Sequence, residues 1–277
     1  MNDLFAHFDL LHSLAGLLVG LLVGLTGVGG GSLMTPILVL MFGVSPQTAV
    51  GTDLLFAAST KVVGSAVHGW RETVDWRIVR RLASGSIPAA IISLVVLAQV
   101  GHIAKSTQHV ILVVLAAMLL LTALATLFQK KLIALASNRD PISPDRRAVL
   151  PTVVLGVVIG VMVSISSVGA GAIGVTALLM LYPSLPVSRI VGTDIAHAVP
   201  LTLVAGFGHW IIGDVNGLLL ANLLVGSIPG VVVGSLISSR APDGKLRLVL
   251  ALVLLLSGWQ LMVKATTKDK PAIVKTR

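Results

Sequence analysis

Cysteine is absent from the 277 residues, and charge is scarce: Asp, Glu, Lys and Arg make up 11%, against ~25% in a soluble globular domain. Without thiols there can be no structural disulfide, thiolate metal site or iron-sulfur cluster. The seven histidines show no metal-ligand spacing, so neither a metal nor another cofactor is expected. Acidic residues are also few, 11 against 20 basic ones, which leaves a net charge of +9. The basic residues sit mainly between and after apolar stretches, where anionic lipid headgroups explain them. The expected partner is therefore a lipid bilayer and not nucleic acid. Met1 to Phe8 lack the positive n-region of a secretory signal, and no short apolar run ends in a small-residue cleavage site, so the first apolar segment is expected to be retained.

Hydrophobic residues make up 55% of the chain, too many for a water-soluble surface. Apolar runs fall at 11–42, 46–67, 78–98, 108–128, 149–182, 187–208, 215–237 and 246–263. Most are close to the ~20 residues that a helix needs to cross the hydrocarbon core, and they lack the alternation of barrel strands. The first and fifth runs are too long for one crossing and too short for two. Each is interrupted, by Gly27-Val28-Gly29-Gly30-Gly31-Ser32 and by Ser166-Ser167-Val168-Gly169-Ala170-Gly171. Clustered glycine predicts an unwound turn between two half-helices, and such backbone at membrane depth must face protein or a water-filled cavity.

The loop from Gln129 to Ala148 carries Lys130, Lys131, Arg139, Arg146 and Arg147, which places it in the cytoplasm together with Arg71, Arg77, Arg80 and Arg81. If the first and fifth runs each cross once, both termini are cytoplasmic, which suits the basic tail. If both are re-entrant hairpins, the termini lie outside and the two halves are inverted. The charges lean slightly toward cytoplasmic termini. Trp70, Trp76, Tyr182, Trp210 and Trp259 lie near run ends, as an aromatic belt would.

Setting residue n beside residue n+141 aligns Val50-Gly51-Thr52-Asp53 with Val191-Gly192-Thr193-Asp194, His68 with His209, and Gly85-Ser86-Ile87-Pro88 with Gly226-Ser227-Ile228-Pro229. Chance pairing of hydrophobic sequence matches Val and Leu, not Asp, His and Pro. The expected fold is an all-α integral membrane protein of about eight hydrophobic helical segments in two homologous four-segment repeats, with the first segment of each broken at its Gly/Ser-rich turn. The boundaries are 1–128 for the first repeat, 129–148 for a basic cytoplasmic linker, 149–264 for the second repeat and 265–277 for a basic tail. Duplicated halves with interrupted segments point to a transporter whose site lies between the halves near the midplane.

The Gly27-Val-Gly-Gly-Gly-Ser32 break, the turn containing Pro46 and the Ala49-Val-Gly-Thr-Asp53 motif, with its second copy Val191-Gly-Thr-Asp194, resemble the sulfite exporter TauE/SafE family of membrane permeases. The likeness covers nearly the whole chain. It implies a secondary transporter, in the cell (inner) membrane, of a sulfur-containing or other small organic anion. The second glycine motif departs from the first through Ser166, Ser167, Ala170 and Ala172.

Several residues are candidates for the permeation path. The glycine loops, at Gly29, Gly30, Gly31, Gly169 and Gly171, offer N–H donors at half-helix N-termini to an anion. The Thr52-Asp53 and Thr193-Asp194 pairs either line the path or accept hydrogen bonds from the loops and fix packing. Lys61 is the only Lys or Arg near the middle of a run, and its repeat counterpart is Thr202. It can pair with a substrate anion or with Asp53. His68, His197 and His209 are candidates for proton coupling, or helix-terminal groups bonded to carbonyls. A nucleotide loop at the Gly-x-Gly of the first break lacks the preceding strand. A membrane-embedded enzyme and a non-transporting partner subunit are the competing functions, but no recognised hydrolase motif joins the Ser, Asp and His residues. No catalysis is expected, and a homodimer is compatible with this reading.

Overall fold

Ten α-helices, and no strand, are found among the residues that the computed structural model describes: 9–26, 31–68, 74–101, 105–137, 148–237 and 243–268. They are α1 (Leu10–Thr26), α2 (Gly31–Leu40), α3 (Pro46–His68), α4 (Trp76–Gly101), α5 (Lys105–Ser137), α6 (Val149–Ser166), α7 (Ala172–Leu181), α8 (Val187–Ile212), α9 (Gly217–Ile237) and α10 (Asp243–Lys268). Of the two glycine-interrupted runs, the fifth is α6 and α7, and the first is α1 and α2. Helix α5 runs on through the start of the stretch expected as a linker.

Polar residues just ahead of the apolar runs set where helices begin. Asp9 accepts the Leu11 N–H at 2.9 Å, Asp75 accepts those of Arg77 at 3.0 Å and Ile78 at 3.3 Å, and Asn216 Oδ1 accepts that of Leu219 at 3.0 Å. Each side chain satisfies a first-turn N–H that has no partner within its helix. The Leu11 N–H also holds the Asp9 carboxyl below the usual carboxylate range. Helix α6 stops at Ser167, whose left-handed backbone (φ 58°) turns its N–H onto the Val163 carbonyl. Gly169 and Gly171 follow at φ 121° and 119°, a region that L side chains seldom enter.

Small residues decide which helices touch. Gly16, Gly20 and Gly24 of α1 lie against the backbone of Leu223, Ser227 and Val231 of α9, while Gly226, Gly230 and Gly234 of α9 lie against Ser13, Leu17 and Leu21 of α1. A second pair is built the same way, with Gly156 and Gly160 of α6 on Leu82 and Ser86 of α4, and Gly85 on Val153. Lipid supplies no hydrophobic force between helices, so close backbone approach over glycine is what holds such pairs.

These registers also give direction. Along α1 and α9 the contacts advance together, so the two run parallel, as do α6 and α4. Helix α8 runs parallel to α4, since Ser86 meets His197 and Leu94 meets Gly208. Helices α3 and α8 are antiparallel. Gly51, near the start of α3, faces His209 and the Asp214 carbonyl at the end of α8, and Gly206 faces Leu55. Because a four-residue turn reverses the chain between α8 and α9, α1 must oppose α6.

Each interrupted run closes on itself. His12, early in α1, stacks on Phe42, just past α2, with ring centroids 4.4 Å apart, and Thr152, early in α6, shares a 2.6 Å hydrogen bond with Tyr182, just past α7. Both runs are therefore hairpins that leave on the side they enter, and the two enter from opposite sides. This overturns the single-crossing alternative. The basic tail had weighed for that alternative, and a charge count cannot see a return within the bilayer. Tyr182 is also corrected: at 4% exposure it is a buried packing group and not part of an aromatic belt, whereas Trp76, Trp210 and Trp259 are more than half exposed.

Six helices, α4, α5, α6, α8, α9 and α10, are long and apolar enough to cross a membrane. Their outward faces are apolar, with Leu150, Ile211, Leu236 and Leu256 among the most exposed side chains, as contact with lipid and not water requires. At ~1.5 Å per residue the 33 residues of α5 reach about 50 Å, well beyond a ~30 Å core. Helix α3 is enclosed instead, with Ala49 to Ala58 all buried.

Candidate functional site

The antiparallel pair α3 and α8 carries five ionisable side chains into the interior: Asp53 at 0% exposure, Lys61 at 7%, Asp194 at 2%, His197 at 0% and His209 at 1%. Lys61 lies within electrostatic reach of both carboxylates. Among the described residues its ammonium closes no direct ion pair. Three buried charged groups cost several kcal/mol each unless they compensate one another, so their arrangement must balance charge.

The carboxylates are held alike. Asp53 Oδ2 accepts a short hydrogen bond from the Thr35 hydroxyl in the first half of α2. Asp194 lies against the first turn of α7: the Gly171 N–H faces it, and a Cβ at Gly174 would collide with Oδ1. Asp194 thus meets the start of a short half-helix, where the dipole favours negative charge, and Asp53 meets the second turn of the other. The sequence suggests these N-termini as donors for a substrate anion. In this conformation the protein's own Asp194 faces one of them, and Lys61 is left as the buried cation.

The second glycine break connects the two acids. At one end the Ser167 hydroxyl lies beside Asp53 without closing a hydrogen bond of good geometry, and at the other Gly171 faces Asp194. Asp53 Oδ1, Asp194 Oδ1, Ser167 Oγ and His197 Nδ1 are all buried without a partner. Buried polar atoms are nearly always satisfied, so four orphans in one cluster mark a place that another atom enters.

The remaining candidates divide. Gly29 and Gly30 lie outside the described residues, Gly31 opens α2, and His68 ends α3 with its side chain outside the description. The threonines turn away from the acids. Thr52 Oγ1 accepts the Asn216 N–H at 3.2 Å, and Thr193 Oγ1 accepts the Asp75 N–H at 2.9 Å while donating to the Arg189 carbonyl at 2.7 Å. Each threonine pins the turn that precedes a helix packed with the other half of the chain. His197 Nε2 shares a 2.7 Å hydrogen bond with Ser86, beside the ionic cluster. His209, 1% exposed, bonds the Ser164 carbonyl at 2.8 Å and lies 3.4 Å from Asp214, so it ties α8 to α6.

Thr35, Ser86 and Ser167 complete the cluster. Sequence flagged Ser86 only as part of a repeated Gly-Ser-Ile-Pro, and Ser167 only as a departure from the first glycine motif. Thr35 carries no local signal, because a threonine in a helix usually bonds its own backbone.

The model of the family described as "Sulfite exporter TauE/SafE" matches residues 13–261. The chain is 39% identical over 250 residues to the Probable membrane transporter protein YjnA of Bacillus subtilis (strain 168), covering 90% of this chain and 98% of that one. It is 27% identical over 249 residues to the Probable membrane transporter protein YdhB of the same organism, covering 88% and 96%. Identity is 26% over 209 residues to the Probable membrane transporter protein MJ0441 of Methanocaldococcus jannaschii, covering 74% and 73%. No solved structure matches. With its multi-pass helical fold and a family match over most of its length, the chain belongs to the sulfite exporter TauE/SafE family of membrane transporters.

Proposed function

We propose that the chain is a secondary transporter of a small anion, a sulfur-containing oxyanion or organosulfonate, which it binds between two homologous halves in the cell inner membrane. The observation that carries this reading is Lys61, a buried ammonium shared between two carboxylates and directly paired with neither. An anion reaching the cluster finds there a desolvated cation, where low dielectric strengthens each charge contact.

The two-repeat arrangement, 1–128 and 149–264, has support from the helix starts: Gly31 and Ala172, Pro46 and Val187, and Trp76 and Gly217 are each 141 residues apart. Opposed α1 and α6, and opposed α3 and α8, favour halves related by an axis in the membrane plane, a common plan for transporters with a midplane site. One face then carries Arg77, Arg80, Arg81, Lys131 and Arg189, and the other Asp9, His12, Asp214 and Lys264. The basic face is the cytoplasmic one, together with the 129–148 connection, and both termini and the 265–277 tail lie outside. Because the chain has no cysteine, single cysteines report sidedness directly. In intact cells a membrane-impermeant maleimide should label Met41→Cys and spare Ser184→Cys until the cells are opened. The reverse pattern would turn the molecule over.

Transport itself is tested by reconstituting the purified protein in liposomes and offering sulfite, sulfate, thiosulfate, methanesulfonate, acetate, choline and glucose. Saturable uptake of at least one sulfur anion is expected, with choline and glucose excluded. Uptake confined to cations or neutral solutes would defeat the anion assignment.

A further inference from the structure

Two carboxyls and one ammonium share a dry interior, and that set cannot be neutral with all three groups charged. We propose that Asp53, Asp194 and Lys61 together hold an exchangeable proton, and that binding of the transported anion draws in one more, so that anion and proton move together. The inference rests on the anion-transport reading above and adds the coupling ion, which it places on the aspartates and not on a histidine.

The geometry assigns the positions. Asp194 lies against the first turn of α7, where the helix dipole favours a charged carboxylate, so Asp194 is the carboxylate that stays ionised opposite Lys61, and Asp53 is the carboxyl that needs a proton. Asp53 Oδ2 is engaged by Thr35, and its other oxygen is an orphan beside the orphaned Ser167 hydroxyl. A proton on Oδ1 gives Ser167 Oγ a donor and gives Oδ1 a partner. When an anion binds the Lys61 ammonium, the Asp194 charge loses its counter-ion, and Asp194 takes a proton from the aqueous side through its own orphan oxygen. The charge balances throughout: one negative charge enters with one proton, and the ammonium stays intact.

The surroundings leave few other carriers. From α2 the cluster is faced by Thr35, from α4 by Ser86, and from the α6–α7 turn by Ser167 and the Gly171 N–H, none of which titrates near neutrality. From α8 it is faced by His197, whose Nε2 is bonded to Ser86. His209, on the same helix, is committed to the Ser164 carbonyl and Asp214.

Methanesulfonate carries one negative charge and does not titrate near neutral pH, which makes it a clean probe. Its binding to the purified protein should take up about one proton per anion from a weakly buffered solution, followed with an indicator dye. By linkage the dissociation constant should then rise about tenfold per pH unit over the range where the proton must be taken up. In liposomes an inward proton gradient should speed uptake without sodium. Asp194→Asn, close in shape, should still bind the anion but with the proton uptake and the pH dependence gone. If it fails to fold, as judged by gel filtration, Asp53→Asn, which stands in for the protonated carboxyl, supplies the second test: the uptake of about one proton per anion should be retained, and its loss would overturn the assignment of that proton to Asp194. Anion binding and flux that ignore pH in the unaltered protein, or that follow a sodium gradient alone, would overturn the coupling and leave the transporter reading intact. Loss of the pH dependence in His197→Gln, with Asp194→Asn retaining it, would move the carrier to the histidine and overturn it too. Failure of every anion to bind at any pH would remove both readings.

Discussion

Lys61→Met is expected to abolish anion flux in liposomes, lowering it by 100-fold or more, while the protein remains folded and monodisperse in detergent. The substitution keeps an unbranched side chain, one atom shorter, and removes the charge with its N–H donors. Taking one partner from a buried, desolvated charge pair costs about 2–5 kcal/mol, and the lower end of that range already amounts to well over tenfold in binding. If the aspartates take up protons to compensate, folding survives although anion binding does not. Lys264→Met is the matched control. That ammonium donates to the Val39 carbonyl at 2.9 Å, at the end of α10 and away from the cluster, so flux should stay within about twofold. Normal transport by Lys61→Met would show that the buried ammonium is a packing device and that the anion passes elsewhere.

Gly230→Val is expected to be among the most damaging single changes to the fold. A Cβ at this position would sit 2.5 Å from the Leu17 carbonyl oxygen and 3.0 Å from the Leu21 nitrogen, both backbone atoms that cannot rotate away. Helices α1 and α9 must then separate along their whole contact, giving up the close packing that stands in for a hydrophobic force in lipid. Overpacking of this kind costs about 3 kcal/mol or more where no side chain can yield. The measurement is thermal aggregation in detergent, with most of the folded fraction lost. Gly217→Val makes the same chemical change where the nearest heavy atom, on Trp210, is 4.0 Å away, and should leave the transition within a few degrees. Equal behaviour of the two variants would mean that the glycine contacts do not hold the helices together.

Much of the architecture was legible in the chain, for identifiable reasons. The apolar runs announced membrane helices because the bilayer tolerates little else, and the helix ends lie within a few residues of the run ends for most of them. The glycine break after Ser166 was readable because successive glycines disfavour a helix, and the structure shows it with left-handed or glycine-only backbone at Ser167, Gly169 and Gly171. The roles within the Thr-Asp motif were not legible. Thr52 and Asp53 are neighbours in sequence, yet on a helix adjacent residues point about 100° apart. One hydroxyl therefore reaches a turn in the other half of the chain, and the carboxylate reaches Thr35. The glycine ladders at Gly16, Gly20 and Gly24 and at Gly226, Gly230 and Gly234 were present in the sequence too. A spacing of four says that a helix has a flat face, but not which helix covers it.

What the sequence determined by itself is the material: helices of membrane length, two long apolar runs interrupted by glycine, and acids and a lysine in segments where charge is expensive. Those follow from composition and local backbone preference, which act over a few residues. Tertiary structure alone decided that each broken run folds back as a hairpin, that α3 and α8 run antiparallel, and that one ammonium serves two carboxylates. These depend on partners distant in sequence, 30 positions apart between Thr152 and Tyr182 and 164 apart between Thr52 and Asn216. Charge attraction and close packing act through space, and no periodicity along the chain records which distant partner will satisfy them.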